Sequence, residues 1–108
     1  MNILLTGAHG FLGQHLVDKI AREIDEINYQ LFTPRSHELD CLKYTELYHY
    51  CQYKNIDAII HLAAECGGIG INQRKPADFF LNNAQMSLNV LKVSHELKLD
   101  KLVTIGTV

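Results

Sequence analysis

The 108 residues predict an α/β domain built as a doubly wound parallel sheet, and three observations carry that expectation. Short apolar runs of strand length alternate with stretches of helical period along the whole chain. The first of those runs ends directly in glycines that open a helix. Apolar residues make up 47% of the chain and charged ones 20%, the balance of a protein that buries one core.

Residues 2–6, Asn-Ile-Leu-Leu-Thr, form the first strand, and the glycines after it end the run. Over residues 11–24, Leu12, Leu16, Val17, Ile20 and Ile24 recur at helical spacing. A second strand over 29–32 stops at Thr33-Pro34, because Pro34 has no amide to offer a ladder. Residues 44–53 set Leu47, Tyr48, Tyr50 and Cys51 on a second helix, and the unbroken apolar run 58–62 reads as a buried third strand. Residues 65–75 hold three glycines and no periodicity. Pro76 suits the first turn of a long third helix that Phe79, Phe80, Met86, Val90, Leu91 and Leu97 continue, and residues 101–105 form a fourth strand.

Strand-helix alternation requires right-handed crossovers and a sheet covered on both faces. The expected strand order is 3-2-1-4, with the winding reversing between strands one and four and ligand seated above their carboxyl ends.

A net charge of -2 without a dense basic stretch excludes a nucleic-acid or membrane-surface partner, so the expected partner is a small molecule. There is no basic leader and no apolar run near 18 residues, and cytoplasm is the default expectation. Cys41, Cys51 and Cys66 are odd in number and widely spaced, hence expected as reduced thiols. The six histidines never fall at metal-ligand spacing, and no metal is expected.

The segment Thr6-Gly7-Ala8-His9-Gly10-Phe11-Leu12-Gly13 lies where a strand becomes a helix. There Gly7 can take tight-turn angles, Gly10 leaves nothing between backbone and a pyrophosphate, and Gly13 allows close helix packing. Amides at the helix start then face phosphates. Gly7, His9, Gly10, Phe11, Leu12 and Gly13 are therefore candidate cofactor contacts in a Rossmann-type dinucleotide site. Beyond the second strand, Arg35 offers a planar fork suited to the 2'-phosphate of NADP, with a solvated loop arginine as the alternative. Glu38 and Asp40 leave NAD possible.

TGAHGFLG, IIHLAA and KLVTIGT together resemble, across the whole chain, the extended short-chain dehydrogenase/reductase family of nucleotide-sugar epimerases, dehydratases and reductases. The GGI loop followed by PADFF and NN is most similar to the branch that epimerises and reduces GDP-4-keto-6-deoxymannose with NADPH. The resemblance implies backbone contacts to cofactor at Leu62, Ala63, Ala64 and Gly106, with Asn83 approaching from the third helix and Asp40 near the adenine. It implies a catalytic hydroxyl at Thr107, hydrogen-bonded to the reacting sugar oxygen. The Gly67-Gly68 loop is a candidate substrate contact or an ordinary flexible connection.

The family's acid/base Tyr and its Lys come from a YxxxK helix beyond the fourth strand. Tyr50 to Lys54 also reads YxxxK, but it precedes the third strand and is taken as coincidence. Residues 1–108 are thus expected to be the amino-terminal part of a Rossmann domain, without its substrate domain and inactive alone. The full-length protein is expected to be a homodimer acting on a nucleotide-sugar. The competing expectation is a stand-alone Rossmann-like NAD(P)-binding or regulatory module without catalysis.

Overall fold

In a computed structural model of the chain, the structure describes residues 1–23, 28–63 and 76–104. Within them lie β1 (Asn2–Thr6), α1 (Phe11–Glu23), β2 (Gln30–Phe32), α2 (Tyr44–Tyr53), β3 (Ala58–His61), α3 (Pro76–Glu96) and β4 (Lys101–Thr104). Every expected element is present, with ends within a residue or so of those read from periodicity.

The sheet is wholly parallel, as strand-helix alternation demands, but its order is β2-β1-β3-β4 rather than the expected 3-2-1-4. Instead of extending the sheet beyond β2, β3 crosses over β1 and pairs on its far side, with Ile3 opposite Ala58 and Thr6 opposite His61. The reason is polar and local. The Asn2 amide donates to Asp57 Oδ2 at 2.7 Å, and the Asp57 amide returns a bond to the Asn2 carbonyl at 2.8 Å. The Asn2 side-chain amide also donates to the carbonyls of Lys54 and Asn55, each at 3.1 Å. These bonds place the start of β3 beside β1, so the winding reverses between β1 and β3 and not between β1 and β4.

The two helix-to-strand connections are built alike. Asn55 and Lys98 both adopt a left-handed conformation with φ of 53°. After each, an amide reaches back to close the helix: Ile56 to the Cys51 carbonyl at 2.9 Å, and Leu99 to the Ser94 carbonyl at 3.0 Å. An aspartate follows in both places, and its amide donates to the strand already laid down, Asp57 to Asn2 and Asp100 to Asp57, each at 2.8 Å.

α2 and α3 cover one face of the sheet. Leu4 and Ile59 point into that layer to meet Leu47 and Cys51 of α2 and Val90 and Val93 of α3, all of them at most 1% exposed. Each fully buried aliphatic side chain contributes roughly 1.5–3 kcal/mol relative to exposure. Leu5, also fully buried, faces the opposite side, where a right-handed β1-to-β2 crossover puts α1. Buried Asn89 ties α3 to the segment before α2: its side-chain nitrogen donates to the Cys41 carbonyl at 2.9 Å while its oxygen accepts from Gln85 at 2.8 Å.

Candidate dinucleotide site

A cleft of about 810 Å³ opens above the carboxyl ends of β1, β2 and β3. Its walls are residues 6–13, 34–37, 39–42 and 62–63, with Met86 from α3. That is the reversal point of the winding, where open α/β sheets hold ligands.

The three glycines of the turn do different work. Gly7 has φ of +75°, and a Cβ there would lie 2.6 Å from the Ala63 nitrogen, so both conformation and the close approach of β3 require glycine. A Cβ at Gly13 would fall 2.0 Å from the Gly7 carbonyl oxygen, which seats α1 directly on the turn. Gly10 is different: the nearest atom to its Cβ would be that same oxygen at 3.5 Å, an ordinary contact. Structure alone therefore leaves Gly10 free to vary, and its bare Cα faces the cleft that it lines.

Gly10 donates its amide to the Gly7 carbonyl at 3.1 Å and accepts from the Gln14 amide at 2.9 Å, so the turn passes straight into the helix. Phe11, Leu12 and Gly13 follow as the first helical residues, whose amides have no carbonyl a turn earlier to bond. No acidic side chain sits in that first turn to compete for an anion. Phe11 is 84% exposed, its ring edge-on to His15 at 4.8 Å. His9 bridges the turn to β2, its Nε2 lying 3.1 Å from the Thr33 carbonyl.

A second anchor at this end had no signal in the sequence pattern. The Thr6 hydroxyl accepts from the amides of Leu62 and Ala63, each at 3.2 Å. It also shares a hydrogen bond of 2.7 Å with Nδ1 of buried His61. Burial lowers the His61 pKa and so favours the neutral ring. This hydroxyl holds the chain leaving β3 against the glycine turn and places Leu62 and Ala63 on the cleft wall.

On the other wall, Arg35 is exposed and begins a turn in which its carbonyl accepts from Glu38 at 2.9 Å and from Leu39 at 3.0 Å. Asp40 lines the cleft, yet its carboxylate also has structural work: Oδ1 accepts from the Leu42 amide at 2.9 Å. Cys41 forms floor rather than reactive wall. Burial, then the carboxylates of Asp40 and Glu46, push its thiol up to about 11, and burial followed by Cys41 pushes Cys51 up to about 12. Both are protonated and inert at neutral pH.

Among the described residues Met86, and not Asn83, is the part of α3 that lines the cleft; Asn83 is half-buried about one turn earlier. Ala64, Gly67, Gly68, Gly106 and Thr107 lie outside the described residues. The Tyr50–Lys54 pair sits at the end of α2 away from the cleft, where the Lys54 amide donates to the Tyr50 carbonyl at 3.0 Å and Lys54 Nζ lies over the rings of Phe32 and Tyr53. Burial, with Glu38 and Cys51 nearby, raises the Tyr50 pKa, which makes it a poor acid/base group. No group of three or more metal-ligating side chains occurs among the described residues.

Comparison with known proteins agrees with this geometry. The chain is 34% identical over 107 residues to the GDP-L-colitose synthase of Yersinia pseudotuberculosis, a match covering 99% of this chain and 33% of that one. It is 29% identical over 105 residues to the GDP-L-fucose synthase of Azorhizobium caulinodans, covering 97% and 32%. A solved GDP-mannoheptose C4 reductase from Campylobacter jejuni with NADP bound superposes with a TM-score of 0.81 at 25% identity, covering 97% of this chain and 32% of that one. The chain thus spans about a third of the length of the relatives it matches. The sequence pattern of one family runs through residues 3–108, taking in the glycine turn, the β1–β3 reversal and the end of β4, and the chain belongs to that NAD dependent epimerase/dehydratase family.

Proposed function

We propose that the cleft binds NADP and that the whole protein is a nucleotide-sugar epimerase/reductase acting on a GDP-sugar, with GDP-4-keto-6-deoxymannose the first candidate. The single observation carrying the cofactor reading is Gly10. Its Cβ would meet no close protein atom, so the fold does not demand glycine there, whereas a pyrophosphate against the backbone does. Gly7 and the helix-start amides of Phe11 to Gly13 are the proposed phosphate contacts, Arg35 the 2'-phosphate contact, and Asp40 with Leu62 and Ala63 the nucleoside walls. When bound, NADPH supplies the hydride; the chain's own part is to orient it and exclude water from the turn.

Support for a GDP-sugar comes from the relatives named above. The Thr107 hydroxyl is proposed to hydrogen-bond the reacting sugar oxygen, Gly67 and Gly68 to border the sugar, and Ala64, Asn83 and Gly106 to complete the cofactor contacts. The acid/base pair and substrate domain are proposed to belong to chain beyond residue 108. A homodimer is proposed through α3, which leaves Phe80, Leu81, Leu88 and Leu91 exposed by 72%, 61%, 59% and 57%.

Calorimetric titration of the full-length protein with NADP and NAD, followed by NADPH oxidation with GDP-4-keto-6-deoxymannose, tests the reading. Tight NADP binding with turnover is expected, and Thr107→Ala should lower kcat about a hundredfold while Thr107→Ser retains most of it. Absence of binding by either dinucleotide would overturn the proposal.

A further inference from the structure

We infer that Asn89, a residue of α3 outside the cleft, is a positioning residue for the base of the dinucleotide: through the peptide group joining Cys41 to Leu42 it sets the Asp40 carboxylate, and with it the preference for an aminopurine. The inference rests on the reading above, that this cleft holds the dinucleotide with Asp40 at its nucleoside wall.

Asn89 is 5% exposed and is not among the residues that line the cleft. Its oxygen accepts from Gln85 at 2.8 Å, and its nitrogen donates to the Cys41 carbonyl at 2.9 Å, across 48 positions of sequence. A carbonyl oxygen only accepts, so this orientation of the amide is the one that satisfies the contact. Among the described residues no backbone amide bonds the Cys41 carbonyl, which makes Asn89 its partner in the folded chain.

The bond fixes one peptide plane. The carbonyl of that plane goes to Asn89, and its amide, that of Leu42, donates to Asp40 Oδ1 at 2.9 Å. A peptide group is rigid, so its two ends turn together. Asp40 is held at its backbone as well: its amide donates to Glu46 Oε1 at 3.1 Å, and its carbonyl accepts from the Lys43 amide at 3.0 Å. With that backbone fixed, the Cys41–Leu42 plane decides where the carboxylate stands, and Asn89 decides the plane. Residues 39–42 need such help, because they belong to no strand or helix and yet all four line the cleft. α3 reaches the same cleft directly with Met86, about one turn before Asn89.

A carboxylate on the cleft wall favours a base that presents an N–H to it. Adenine presents its exocyclic amine, whereas hypoxanthine has a carbonyl in the same place, which a carboxylate repels. The phosphates and riboses of the two dinucleotides are identical, so the ratio of their affinities reads the base end.

Calorimetry on the full-length protein compares NADP with nicotinamide hypoxanthine dinucleotide phosphate. The natural protein should prefer NADP about tenfold, the size of one charge-assisted hydrogen bond at a partly exposed site. Asn89→Leu, which fills the space, and Asn89→Ser, which leaves it, should each narrow the ratio to about threefold or less, through weaker NADP binding with the hypoxanthine dinucleotide unmoved. Asp40→Ala should remove the preference, and in that background neither Asn89 substitution should change the ratio further. A further change there overturns the inference, as does a ratio kept in either Asn89 variant. Equal weakening of both dinucleotides would make Asn89 a support for the fold alone and overturn it as well. No preference in the natural protein overturns the inference while the cleft reading stands. No binding of either dinucleotide overturns both.

Discussion

The two ends of the sheet solve opposite problems. At the amino end, where β3 and β4 begin, Asp57 and Asp100 donate their amides to the neighbouring strand, and left-handed Asn55 and Lys98 close the helices before them. Backbone groups there are spent on one another. At the carboxyl end, one hydroxyl, that of Thr6, gathers two amides and an imidazole, and the glycine turn then leaves helix-start amides facing an open cleft. The difference teaches where this fold stores stability and where it withholds satisfaction for a ligand.

Glycine substitutions break the comparison hardest. Gly13→Ala drives a Cβ to 2.0 Å from the Gly7 oxygen, and a loss of about 3 kcal/mol or more in urea unfolding is expected. Gly10→Ala, with its nearest atom at 3.5 Å, should leave the urea midpoint unchanged yet weaken NADP binding about tenfold or more by calorimetry. Next comes Thr6→Val, which strands the Ala63 amide, while the Leu62 amide keeps the Thr6 backbone carbonyl at 3.0 Å. It should cost about 2 kcal/mol and weaken binding, while Thr6→Ser retains both properties.

The burial of His61 predicts an acid dependence. Buried His61 resists protonation, so its folded pKa lies below that of the unfolded chain, and in acid the unfolded chain binds the extra proton. Stability is therefore fully present above the unfolded value of 6.5 and should fall as pH drops below it, as urea midpoints across that range will show.

Asp57→Ala removes the acceptor of the Asn2 amide at the other end. About 1 kcal/mol of stability should go, with NADP affinity unmoved, and a parallel loss of affinity would erase the distinction between the ends. The smallest effect is a gain: Lys98→Gly relieves a φ of 53° and should add about 0.5 kcal/mol in the same assay.

Helical period and apolar runs located every strand and helix among the described residues, because those signals are local and strong. The glycine turn was equally plain, since three glycines at a strand-to-helix junction serve both packing and ligand. Strand order was not, because periodicity is blind to which edge a crossover chooses. That choice rests on Asn2 and Asp57, two polar residues among many, although the parallel strings Asn55-Ile56-Asp57 and Lys98-Leu99-Asp100 mark the two like connections. Thr6 and His61 escaped notice for the same reason: their pairing spans 55 positions. Asp40 was read as a ligand wall, and its second occupation, capping the Leu42 amide, belongs to a turn with no pattern of its own. Met86, read only as part of the helix's apolar period, lines the cleft as well.

The Asn2–Asp57–Asp100 relay has a consequence for error. β3 takes its alignment from the Asn2 carbonyl and β4 from that of Asp57, so position is copied serially from β1 to β3 to β4. A slip at Asn2 would be inherited by both later strands, and each one-residue shift in a strand exchanges its buried and outward faces. Asn2 thus acts as the datum from which the height of the cleft end of the sheet is measured.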